Sequence, residues 1–325
     1  MRRAPTGEPF VHAGHAGDPD LRWLVDAPLP PEPCGYVCVG GEPTLFAPPG
    51  ADVAVAGVER HDDPATAVAE ALPAETVCAP RHLPHDAALR VERAGSGLRS
   101  TTAVADARAQ KDDDERAALA AAAAAADAGV EQAREALGEA AGDGADGHDA
   151  TERLRRGVAG AVAGAGATPR VRVDGTPAPG DPVVVDAGAR VGGYHARTAR
   201  TLVAAGDGGA VRRAHVACES ALRVAAGEAA PGTDVDWLTS EVRAELGSFG
   251  VEPPADVTLV AGTGLARREA PRAGSGTTLA PGNALVVAPA ARVPEAASVV
   301  RLVDTLLVGE EGTERLTAAE TASRV

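Results

Sequence analysis

The stretch DDDERAALAAAAAAADAGVEQAREAL, residues 112–137, constrains this chain more than any other. Alanine is the best helix former, and the acidic run Asp112–Glu115 supplies a cap and negative charge at the positive end of a helix dipole. A Gly/Asp-rich linker over 138–148 and a second helix from Asp149 to about Val162 are expected next. VVVDAGARVGGYHARTARTLV then reads as two strands folded about a glycine turn at Val191–Gly193. Helices over Gly209–Gly227 and Asp234–Gly247, the latter capped by Asp234, precede strands at VTLVAG, ALVVAP and SVVRLVDTLLVG. The order helix, helix, strand pair therefore occurs twice. It predicts an α/β (α+β) domain of two similar halves over residues 106–325.

Residues 1–105 have a different texture. Short apolar runs (YVCV, TLFA, VAVAG, TVCA) alternate with Pro, Gly and Asp clusters, and AVAEAL and the stretch after Pro84 fit helices. A small N-terminal α/β domain is expected. Aromatic residues are 2% of the chain, so both cores must be built from Val, Leu and Ala.

Charge narrows the function. Asp and Glu total 46 against 31 Lys and Arg, a formal net of −15, and Lys111 is the only lysine. This balance resembles that of proteins from salt-rich cytoplasm, where screening relieves self-repulsion. It argues against a nucleic-acid partner, which needs a basic stripe. Cys34 and Cys38 in CGYVC have the wrong spacer for a redox or zinc pair, and with Cys78 and Cys218 they read as reduced thiols. MRRAPTGEPF is followed by no apolar stretch, and no window has membrane character, so a cytoplasmic protein without a membrane partner is expected.

From about Arg108 to Thr317 six motifs stand in an order that resembles the pita-bread-fold superfamily of creatinase, aminopeptidase P (Xaa-Pro peptidase) and methionine aminopeptidase. Arg108-Ala-Gln-Lys111 with Glu115 is similar to the family's R-x-x-K-x-x-x-E. APGDPVVVDAGARVGGYHARTARTLV resembles GD-x-V-x-x-D-x-G-A…GY-x-S-D-x-T-R-T, and AAPGTDVDWL resembles PG…D-V-D. GTGLARREAPR is similar to H-G-x-G-L-x-x-H-E-x-P-R, LAPGNALVVAP to L-x-x-G-M-V-x-x-x-E-P, and VVRLVDTLLV to V-R-I-E-D-T-V-L-V. The first hundred residues fit the small domain of the proline-specific branch loosely.

The resemblance implies a pair of divalent metals, manganese or cobalt, roughly 3.5–4 Å apart and held by two Asp, one His and two Glu to generate a hydroxide nucleophile. Asp186 stands at the first Asp position. The others are Arg197, Ala261, Ala288 and Val303, and the family's substrate-contacting His falls on Arg268. Symmetric pairing about Val191–Gly192 would set Asp186 opposite Arg197, and Ala288 would pair with Val303. A guanidinium about 4 Å from a dication costs roughly 8 kcal/mol at an effective dielectric near 20, whereas Arg197 can neutralise Asp186 itself.

The resemblance therefore implies a degenerate member with no metal expected, one whose cleft binds a peptide or protein partner or a second copy in a homodimer. An active metal-dependent Xaa-Pro peptidase and a metal-independent, creatinase-like C–N hydrolase are the alternatives, the latter with His195 as base. Tyr194, His195, Arg268, Glu269 and Arg301 are expected in the cleft, and Arg200-Thr201 as framework. His12, His15, His61, His82, His85 and His148 are scattered, without metal-ligand spacing.

Overall fold

The computed structural model describes residues 1–139, 147–178, 180–204, 209–293 and 298–324, so most of the expected linker over 138–148 lies outside the described residues. The chain divides into two units, Met1–Arg108 and Ala109–Val325.

In the first unit, β1 (Phe10–Gly14), β2 (Cys34–Val39), β3 (Glu42–Ala47), β4 (Val58–Arg60), β5 (Thr76–Pro80) and β6 (Gly97–Thr101) form one sheet in the order β4-β3-β2-β1-β5-β6. Three helices accompany them: α1 (Pro19–Val25), α2 (Pro64–Ala71) and α3 (His85–Arg93). Val11, Val37, Val68, Val77 and Val91 are buried in one cluster, the sheet face covered by α2 and α3. The strand expected at VAVAG is displaced. Gly57 takes a positive φ of 78°, which ends the extended run, and pairing with β3 begins only at Val58.

This unit also corrects the reading of its histidines as scattered. Parallel pairing of β1 with β5 brings His12 and His82 onto the carboxylate of Asp18, with His12 Nε2 at 2.9 Å and His82 Nε2 at 3.4 Å. The three could converge on one metal ion. Burial pushes the Asp18 carboxyl up, but hydrogen bonds from His12 and His82 outweigh it and hold it well below the usual carboxylate range. The hydrogen bond to Asp18 raises His82 against the opposing effect of burial.

In the second unit the acidic run closes on itself. The Asp112 carboxylate accepts from the Glu115 N–H at 2.9 Å, and the Glu115 carboxylate accepts from the Asp112 N–H at 2.8 Å. After α4 (Ala103–Ala109), this reciprocal cap starts α5 (Asp113–Glu139), which is followed by α6 (Gly147–Gly164). Both pack on the sheet β7 (Thr168–Asp174), β8 (Pro182–Val191), β9 (Tyr194–Val203). Small side chains let the helices approach closely: a Cβ at Gly129 would lie 2.8 Å from Val162 and 3.3 Å from Ala187.

The second half repeats the plan. Helices α7 (Gly209–Glu228) and α8 (Val235–Ser248) share a core with β10 (Val260–Gly262), β12 (Ala284–Val287) and β15 (Asp304–Val308). Their sheet runs β11-β10-β12-β15-β16, with β11 at Glu269–Arg272 and β16 at Thr313–Arg315, and β13 (Ala290–Val293) pairs β14 (Ser298–Arg301). Among the described residues no helix is long and apolar enough to cross a membrane.

The His82–Asp18 pair yields a signed pH dependence. Because His82 is raised on folding, its contribution is complete below about pH 6.5 and is lost as pH rises through its folded value. Its side chain is 52% exposed, so the effect is screened to under about 1 kcal/mol. The difference in urea midpoint between wild type and His82→Gln should shrink from pH 6 to pH 8.5, and a pH-independent difference would contradict the pairing.

Candidate functional site

Strand alternation builds the site. Gly192 and Gly193, with φ of 57° and 96°, form the tight turn between β8 and β9. The register sets Asp186 opposite Ala199 and Gly188 opposite Arg197, two residues from the expected pairing. The turn has two residues, Gly192 and Gly193, and so the strands fold about its centre. A two-residue shift keeps every side chain on its face, so Arg197 still reaches Asp186 diagonally, over Gly188. Its Nε donates to Asp186 Oδ1 at 2.7 Å and its Nη2 to Oδ2, a bidentate pair. Burial works against the charge on Arg197, and the Asp186 carboxylate more than restores it, raising its pKa. Arg301 Nη1 stands 3.9 Å from the same carboxylate.

The odd-numbered face of β8, with Val183, Val185, Ala187 and Ala189, lies in the core under α5 and α6. The opposite face opens onto a cavity of about 620 Å³. Arg170 and Arg172 from β7, Asp186, Gly188 and Arg190 from β8, and His195 and Arg197 from β9 line one side. Thr258, Ala261, Thr263, Arg267, Arg268, Val286, Ala288 and Arg301 line the other. The two sides are sewn together by backbone. Ala199 and Val303 exchange hydrogen bonds of 3.2 and 3.0 Å, the Thr305 hydroxyl spans the Arg197 N–H and C=O at 2.9 Å each, and the His195 N–H donates to the Gly264 C=O at 2.8 Å.

Four of the five positions singled out in the sequence, Asp186, Arg197, Ala261 and Ala288, line the cavity together. The fifth, Val303, is one layer behind, fully buried against Ala199 and Ala288. Neither Ala288 nor Val303 lies in a named strand. Each sits at a junction, between β12 and β13 and between β14 and β15 respectively.

Two residues expected in the cleft are absent from its described lining. Tyr194 donates to Glu115 Oε1 at 2.7 Å, and Glu269 is buried, accepting from Lys111 Nζ at 2.8 Å. Alternation turns Tyr194 away from its neighbour His195, and the only lysine of the chain holds Glu269 inside. The sequence reading also missed Arg170, Arg190 and Arg267. The available signal was the alternation of T-P-R-V-R-V-D, which makes β7 a strand with both of its arginines on one face. Arg267 and Arg301 are both lowered, by burial first and then by neighbouring arginines, among them Arg197.

The profile of metallopeptidase family M24 matches residues 115–310. The chain belongs to this family. Among solved structures, the prolidase of Pyrococcus horikoshii OT3 is 20% identical, with a TM-score of 0.80, over 97% of this chain and 95% of its own. Dipeptidase PepE of Mycobacterium ulcerans is 24% identical, with a TM-score of 0.80, over 98% and 93%. The Xaa-Pro dipeptidase of Bacillus anthracis is 18% identical, with a TM-score of 0.81, over 98% and 95%. At these identities the likeness is one of fold, the mixed α/β pita-bread fold, across both units. No curated protein sequence matches the chain.

The ion pair gives a stability prediction. Breaking a buried pair costs about 3–5 kcal/mol, and here Arg197 is 26% exposed and Arg301 takes over part of its charge. Arg197→Ala should therefore cost about 2–3 kcal/mol in urea unfolding. A change under about 0.5 kcal/mol, typical of a surface position, would contradict the pairing.

Proposed function

We propose that this M24 family member does not cleave peptides and that its cleft serves as a binding site. The observation that carries this reading is the engagement of both Asp186 oxygens by Arg197. Ala261, Ala288 and Val303 add no donor atom, so one carboxylate already in use would have to hold two hard cations against water. The residues at these positions do not fit a carboxylate-bridged metal pair. A guanidinium in contact with the carboxylate also opposes any dication there by Coulomb repulsion. His195 lines the cavity, but a base alone, with no electrophilic partner other than arginines, makes a weak case for hydrolysis.

The structural relatives named above are a prolidase and two dipeptidases, so the test uses that chemistry. Protein dialysed against chelator and returned to manganese or cobalt should retain well under one metal per chain by elemental analysis. It should hydrolyse neither Xaa-Pro dipeptides nor longer Xaa-Pro peptides above the buffer rate. Two retained metals together with proline-directed hydrolysis would overturn the reading. Hydrolysis that persists in chelator and is abolished by His195→Ala would instead establish the metal-independent alternative.

A further inference from the structure

The cavity carries more positive charge than the protein around it neutralises. Seven of its lining residues are arginine and two, Asp186 and Asp256, are acidic, a formal +5 in a chain whose formal net is −15. Two of the arginines are committed: Arg197 to Asp186, and Arg172, whose Nε donates to Asp174 at 2.8 Å. Among the described residues the side chains of Arg170, Arg190, Arg267 and Arg268 have neither a hydrogen bond nor an ion pair. Arg301 Nη1 stands 3.9 Å from Asp186 Oδ2, beyond hydrogen-bond distance, and its buried Nε has no partner. Arg170, Arg190, Arg267 and Arg268 are exposed, so solvent screens part of their mutual repulsion, while Arg301 lies deeper and is screened less. The usual remedy is a carboxylate for each guanidinium. This acidic chain has carboxylates in surplus elsewhere and has not placed them here.

We infer that the cavity binds a small organic polyanion carrying two or more phosphoryl or carboxylate groups, held by Arg170, Arg190, Arg267, Arg268 and Arg301. Each guanidinium is a planar fork that meets a carboxylate or phosphoryl group through two parallel hydrogen bonds, and several forks around one space select for several anionic groups. About 620 Å³ falls within the roughly 300–1,000 Å³ typical of small-molecule sites and far exceeds what one inorganic ion fills. Ala261, Val286 and Ala288 give an apolar floor for a carbon skeleton between the charged groups. Asp186 holds Arg197 and, as the carboxylate nearest Arg301, competes with the ligand for it. A positive cleft on a negative protein also concentrates anions at its mouth. The inference rests on the cleft being free of a metal pair.

The test is titration calorimetry of the full chain, treated with chelator, against inorganic pyrophosphate and separately against citrate at about 50 mM salt, where screening is modest. One saturable site per chain is expected for at least one probe, and the stronger probe identifies phosphoryl or carboxylate as the preferred group. Arg267→Gln and Arg301→Gln should each weaken binding about tenfold or more. Arg156→Gln, on the exposed side of α6, should stay within about twofold. Asp186→Asn should tighten binding severalfold, a gain that a misfolded variant cannot mimic. The inference is overturned if neither probe saturates by about 10 mM, a ceiling corresponding to affinity too weak for a built site. It is equally overturned if Arg156→Gln weakens binding as much as the cleft variants do. Metal content and Xaa-Pro hydrolysis are measured on the same samples. Failure of anion binding in metal-free, inactive protein removes this inference alone, whereas bound metals with hydrolysis remove the reading beneath it.

Discussion

One buried arginine ties the two halves of the second unit together. Arg200 is fully buried on β9, and all five of its N–H donors have acceptors. Nη1 donates to the Ala199 and Val303 carbonyls at 2.8 Å each. Nη2 donates to Asp304 at 2.8 Å and the Ala319 carbonyl at 2.7 Å, and Nε to the Glu320 carbonyl at 3.1 Å. Strand β9, the junction between β14 and β15, and the C-terminal segment thus meet on one guanidinium. Asp304 is held in turn by Arg315 and Thr317. A buried charge with every donor satisfied is costly to displace, because any shift leaves an unpaired group in a low-dielectric interior.

Anchoring Arg200 decides what the rest of β9 does. Side chains alternate along a strand, so with Arg200 and Thr198 turned one way (Thr198 onto Asp127 of α5 at 2.7 Å), Arg197 and Ala199 must face the other. The same framework could present a carboxylate at position 197 to a metal. It presents a guanidinium, and Asp186 is thereby engaged by Arg197 rather than by another cavity arginine. Asp186 is neutralised from within the hairpin, and six further arginines line a cavity of formal charge +5 in a strongly negative protein. Pairing Asp186 with a protein cation requires nothing from solvent, whereas a metal pair would need four further donors from positions that are Arg, Ala, Ala and Val.

The helices and the hairpin were legible because their signals are local. The reciprocal cap of Asp112 and Glu115, the Asp234 cap and the Gly192-Gly193 turn each act within a few residues. The Asp186–Arg197 pair was legible despite a register two residues off, since a shift by an even number preserves the face. The convergence of His12, Asp18 and His82 was not legible, because it depends on β1 pairing β5 across a long intervening segment. The arginines of β7 escaped notice for a related reason. Their alternation marks a strand, but only the pairing of Arg170 with Gly188 shows that they face the cavity. Glu269 was misplaced because its motif says which residue is there, not that Lys111 draws it inward.

Both oxygens of the Asp186 carboxylate are engaged by Arg197, and the proposed function depends on their being unavailable to a metal. Anomalous diffraction from crystals of the wild-type protein grown in millimolar manganese tests it most directly. The expected result is no manganese peak beside Asp186 and an ordered Arg197 guanidinium within hydrogen-bond distance of its carboxylate. Two manganese peaks roughly 3.5–4 Å apart at that carboxylate, with Arg197 swung away, would contradict it.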